Sequence, residues 1–106
     1  MLINNDEMLI EYFERLIGGV WKILPLYEEE NIGIKSYVDS LTRGIANLEN
    51  VIRISCSYEY LSLLTTLKVV EEELAKKDSN KAIIKRELFK SIDIIKIMVC
   101  KIEDGD

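Results

Sequence analysis

The sequence has 106 residues, 14 basic and 19 acidic side chains for a formal charge of −5, 48% hydrophobic residues and one proline. That length and apolar content describe one compact domain and exclude an intrinsically disordered chain. Histidine is absent, which removes the commonest metal ligand and the usual proton shuttle, and with them most hydrolase, di-iron and transition-metal chemistry.

Residues 1–7 lack a basic n-region and meet acid at Asp6 and Glu7, so they do not read as a secretory signal. Next, Met8, Leu9, Tyr12, Phe13, Leu16, Ile17, Val20, Trp21 and Leu24 recur at three-and-four spacing opposite Glu7, Glu11, Glu14, Arg15 and Lys22. This spacing predicts a first helix, capped near Asn5 or Asp6 and ended or kinked by Pro25, with a further turn through residues 26–30 before the Asn31-Ile32-Gly33 break. Gly18-Gly19 lies in no phosphate-loop pattern and reads as a bend or a close helix approach.

A second helix is expected over residues 34–54, with Ile34, Tyr37, Val38, Leu41, Ile45, Leu48 and Ile52 on one face. A third, over residues 57–77, carries Tyr60, Leu63, Leu64, Leu67, Val70 and Leu74. Its Ser, Thr and β-branched content leaves open whether it continues the second as one long bent helix. Asp78-Ser79-Asn80 supplies a turn and an N-cap for a fourth helix to about residue 103, lined by Ile84, Leu88, Ile95, Met98, Val99 and Ile102. No segment alternates in the strand manner, so the expected fold is all-α, an antiparallel three- to four-helix bundle over residues 1–106.

The longest uncharged stretch, residues 60–67, is far shorter than the roughly 18–20 residues of a membrane helix. Cys56 and Cys100 match no metal or CxxC spacing and read as reduced, buried thiols of a cytoplasmic protein. Sixteen isoleucines, and ten lysines against four arginines, are the bias of an AT-rich bacterial or phage genome.

Carboxylates are the abundant groups with catalytic potential. Glu71-Glu72-Glu73, followed by Asp78, Glu87 and Asp93, resembles the EExxE and ExxD magnesium motifs of all-helical nucleotide pyrophosphohydrolases. The register departs from those motifs. Ala75 or Lys76 stands where the last Glu belongs, and Lys90 stands three before Asp93. A solvated helix end balanced by Lys68, Lys76 and Lys77 is the simpler reading, and neither a cofactor nor a metal is expected.

Charge is unevenly spread: residues 76–101 hold eight basic and three acidic groups, the reverse of the rest of the chain. Lys81, Lys85, Arg86 and Lys90 suit phosphate contacts, but the overall negative charge opposes nucleic acid. Pairing with the acidic first and third helices, or across a dimer, is the expectation. The fourth helix is also too apolar for one core stripe, leaving Ile83, Phe89, Ile94, Ile97 and Cys100 on its flanks and outer face, unless the helix is central and buried nearly all round. The expected function is therefore non-enzymatic binding of another protein or of a second copy, as an adaptor, immunity, antitoxin-like or phage counter-defence factor. In this reading Phe89, Ile94 and Ile97 are the anchors, Arg86 and Lys90 set orientation, and Trp21 marks a second apolar edge. The alternatives are a magnesium-dependent pyrophosphohydrolase centred on Glu71, Glu72 and Asp93, or weak nucleic-acid binding through the basic fourth helix.

Overall fold

The computed structural model describes residues 4–104, with side chains from residue 6 onward. The opening residues 1–3 and the capping role expected of the Asn5 side chain lie outside the described residues. The chain forms α1 (Asn4–Trp21), α2 (Ile23–Glu28), α3 (Ile34–Ala46), α4 (Ser57–Leu74) and α5 (Lys81–Glu103), with no strand among the described residues. The four long helices pack together as a helical bundle. α5 packs on both α4 and α1, α3 packs on α4, and the short α2 closes one end against α1, α3 and α5.

The apolar stripes meet in the middle. Phe13, Val20, Val38, Ile45, Leu63, Leu67, Ile84 and Ile95 are sealed from solvent, each burial of that kind being worth about 2 kcal/mol. Polar ties fix which ends adjoin. Lys101, in the last turn of α5, reaches Glu59 in the first turn of α4 at 2.7 Å and the Ser55 carbonyl at 3.1 Å. Tyr37 on α3 donates to the Gly19 carbonyl near the end of α1 at 2.7 Å. Where α1 crosses the other end of α3, a Cβ at Gly44 would stand 2.8 Å from the Tyr12 hydroxyl, so glycine there permits the approach.

The first helix ends earlier than its apolar pattern suggests, and proline supplies the reason. Pro25 has no N–H to offer the carbonyl four residues back, so the ladder fails at Trp21 rather than at Leu24. The chain then restarts, with Pro25 accommodated in the first turn of α2. α2 closes with Asn31 N–H donating to the Leu26 carbonyl at 3.0 Å and Glu30 N–H to the Tyr27 carbonyl at 3.1 Å. This double bond pattern requires a left-handed residue, and that residue is Glu30, at φ 54°.

The second helix is shorter than expected. It stops at Ala46, and residues 47–56 form two 3-10 turns, Glu49–Val51 and Ile54–Cys56, separated by extended backbone at Ile52 and Arg53. Helices two and three are therefore not one bent helix. The Tyr60 hydroxyl donates to the Ile45 and Ala46 carbonyls at 2.8 and 3.0 Å, taking up acceptors that a continuing helix would have used. Burial pushes the Tyr60 hydroxyl pKa up, with Glu49 and Tyr12 adding to the rise, so it stays a donor. Arg53 pairs through two nitrogens with the buried Asp6 carboxylate, which turns Asp6 from a cap candidate into the anchor of this connection.

The third helix ends at Leu74 rather than Lys77, and the α4–α5 loop is held from both sides. Asn80 caps α5 as expected, its side chain accepting from the Ala82 N–H at 2.8 Å. Glu73, buried, accepts the Asn80 N–H at 2.8 Å and pairs with Lys76 at 3.1 Å. Those two contacts hold its carboxyl below the usual carboxylate range. Tyr27 on α2 reaches the Ser79 hydroxyl at 2.9 Å, and Lys81 meets Glu28 at 2.6 Å.

Three outcomes test these contacts. Glu30→Gly relieves the left-handed strain and should raise stability by about 0.5–1 kcal/mol in urea denaturation. Gly44→Ala displaces the Tyr12 hydroxyl but gains helix propensity, so the net change should stay within about 1 kcal/mol. Because the Glu73 pKa is depressed in the folded state, its contribution is present above the ordinary carboxylate range and lost as pH falls through it. The thermal midpoint of wild type should consequently drop more between pH 7 and acid than that of Glu73→Gln.

Candidate functional site

α5 is not buried all round. Ile84, Leu88, Ile92, Ile95, Met98, Val99 and Ile102 turn inward, and at about 100° per residue this inward set leaves one broad face to solvent. That face carries Lys85, Arg86, Phe89, Lys90, Asp93, Lys96, Ile97 and Cys100, all exposed. Phe89 and Ile97 retain 43% and 48% of their exposure and sit about 12 Å apart along the helix. Trp21 meets Phe89 edge to face, ring centroids 4.9 Å apart, so the end of α1 adjoins the outer face of α5 at that ring.

Of the six residues expected to carry binding, Trp21, Arg86, Phe89, Lys90 and Ile97 fall on this surface. Ile94 does not. It lies 8% exposed in the core, rotated about 60° beyond Ile97 toward the buried side. At about 100° per residue Ile97 lies about 160° from the Leu88–Ile95–Ile102 line and Ile94 about 100°, so Ile94 is the flank position and its burial depends on its neighbours.

The basic groups divide sharply. Lys81 and Lys101, at the two ends of α5, pair with Glu28 of α2 and Glu59 of α4. The central set is different: among the described residues Lys85, Lys90 and Lys96 have no ion-pair partner, and Arg86 meets only its neighbour Glu87, at 3.5 Å. The expected pairing within the bundle therefore operates at the helix ends and leaves the middle of the face basic.

A second surface escaped the sequence reading. Ile54, Tyr58 and Leu61 keep 91%, 78% and 62% of their exposure, more than Phe89 or Ile97. They lie on the turn before α4 and on its outer face, beside Ser57, Ser62 and Thr65. For Leu61 and Thr65 the signal was present in the absence of any charge over residues 60–67; it reads naturally as core because Leu63 and Leu67 lie within the same run.

The carboxylates of the third helix do not converge with Asp93. Glu71 borders a small groove with Lys35 and Asp39 of α3, Glu72 is exposed, Glu73 is committed to the α4–α5 loop, and Asp93 stands on the outer face of α5. Among the described residues no three Asp, Glu or Cys side chains gather as a metal-holding group. Glu71 and Glu87 each keep one buried carboxylate oxygen without a hydrogen-bond partner, and their surroundings differ: Glu87 is among the buried residues of α5, while Glu71 borders the α3 groove. Both cysteines are free, Cys56 buried and Cys100, contrary to expectation, exposed. No helix among the described residues is long and apolar enough to cross a membrane. Compared with protein-family models, curated proteins and solved structures, the chain matches none, so the chemistry of its surfaces carries the functional reading.

Proposed function

We propose that this chain is a non-enzymatic protein-binding module, built as an antiparallel bundle, whose outer α5 face receives an acidic, amphipathic element of a partner protein. The observation that carries this reading is the basic centre of α5, where Lys85, Lys90 and Lys96 have no ion-pair partner among the described residues and Arg86 meets only Glu87, set around exposed Phe89 and Ile97 with Trp21 alongside. Apolar anchors supply affinity when a partner seals them from water, and the flanking cations select an acidic partner and orient it. The action is steric: occupying a partner's surface withholds that surface from other molecules.

The face also explains why the same residues fit nucleic acid less well. A phosphate backbone could use the cations but offers nothing to cover exposed Phe89 and Ile97, which an amphipathic protein element would seal from water.

Ile97→Asp should abolish retention of a partner that wild type captures from the source cell, once that partner has been identified, purified and shown to rebind. The expected loss in affinity is about 30-fold or more, with far-ultraviolet circular dichroism unchanged. Arg86→Glu with Lys90→Glu should weaken the same complex, and the effect should shrink as salt rises. Unfolding of the Ile97→Asp variant would place Ile97 in the core. Retention of nucleic acid in place of protein would overturn the reading.

A further inference from the structure

We propose that the cleft between α1 and the turn that follows α3 binds a small neutral molecule, apolar in body and carrying one hydrogen-bond acceptor. The cleft has a volume of about 340 Å³, with Met8 and Leu9 of α1 on one side and Leu48 and Val51 on the other, at the lower end of the size range of small-molecule sites. It exists because α3 stops at Ala46. The chain turns at Glu49–Val51, where the Val51 N–H donates to the Leu48 carbonyl at 2.9 Å, and this sets Leu48 and Val51 across from the first turns of α1. Just beyond the turn, Arg53 pairs with the buried Asp6 carboxylate at the start of α1. That pair holds the two walls in place, so the cleft is formed before any ligand arrives.

Size, charge and one unsatisfied hydroxyl select the occupant. Seven residues line the cleft, against roughly 20–30 a side in a protein interface, so the fit is to a small molecule rather than to a chain or a second copy. Met8 and Val51 keep 67% and 45% of their exposure, apolar area that a ligand takes from water. Glu11 and Arg15 also line the cleft, and neither has an ion-pair partner among the described residues. Their opposite charges offset one another, which favours a neutral body over an ion. Tyr12 supplies the polar handle. Its hydroxyl lies beside Gly44 and has no hydrogen-bond partner among the described residues. Burial pushes its pKa up, so at neutral pH it keeps its proton and is a donor that lacks an acceptor.

Prodan, a neutral naphthyl ketone whose emission moves to the blue in apolar surroundings, should bind the full chain at a single saturable site. Met8→Lys and Val51→Lys should each weaken that binding at least about fivefold with circular dichroism unchanged, whereas Leu61→Glu, on the outer face of α4, should leave it as in wild type. Met8 is exposed, so its substitution tests the cleft even where Val51→Lys disturbs the turn. Tyr12→Phe should weaken prodan by about two- to tenfold and leave the parent dimethylaminonaphthalene, which lacks the ketone, unaffected. Absence of saturable binding overturns the proposal. So does binding that survives both charged variants of the cleft, that is lost with Leu61→Glu, or that Tyr12→Phe alters for the two molecules alike or for neither.

Discussion

The burial of one side of α5 against two neighbours at once is the constraint from which the surfaces follow. Ile84, Leu88, Ile95, Met98 and Ile102 are almost fully withdrawn from water, and rotating the helix by a single residue would expose them while driving lysines into the core, at a cost of several kcal/mol. Rotation being fixed, Phe89 and Ile97 have to face outward with Arg86, Lys90 and Lys96. The outer face is thus a by-product of packing in its geometry, although not in its composition. A helix with only a structural task has no need of an aromatic ring and an isoleucine among its solvated cations, even though isolated exposed apolar residues are common.

Polar contacts set the axial position of that helix. At one end Glu73 and Asn80 define where α4 stops and α5 starts, and at the other Lys101 ties the last turn of α5 to Glu59 and the Ser55 carbonyl. The exposed members of these pairs contribute little to stability by themselves. Their effect is to choose one register among several that the apolar stripes alone would tolerate. Asp6 and Arg53 do the same for the connection between α3 and α4, and there the carboxylate is buried, so the pair is costly to break.

The two outer faces differ in their chemistry. α5 presents Phe89 and Ile97 among Lys85, Arg86, Lys90 and Lys96, a field that under the proposed function would favour an acidic partner. α4 presents Tyr58, Leu61 and Thr65 on its outer face, with the Thr65 hydroxyl bonded back to the Leu61 carbonyl.

Much of the architecture was legible in the chain itself. The three-and-four spacing of apolar residues is a direct consequence of helical geometry, so the all-helical class, the inward stripes of α4 and α5 and the Asn80 cap could be read from order alone. The end of α3 could not, because the donor that takes up its last carbonyls is Tyr60, distant in sequence and supplied only when α4 packs against it. Nor could the burial of Ile94, a flank position about 100° from the inward line of α5, which depends on how closely the neighbouring helices wrap it. Periodicity, a local property of the backbone, was determined by the amino-acid order; which borderline side chains meet water was decided by the neighbours that the tertiary structure placed beside them.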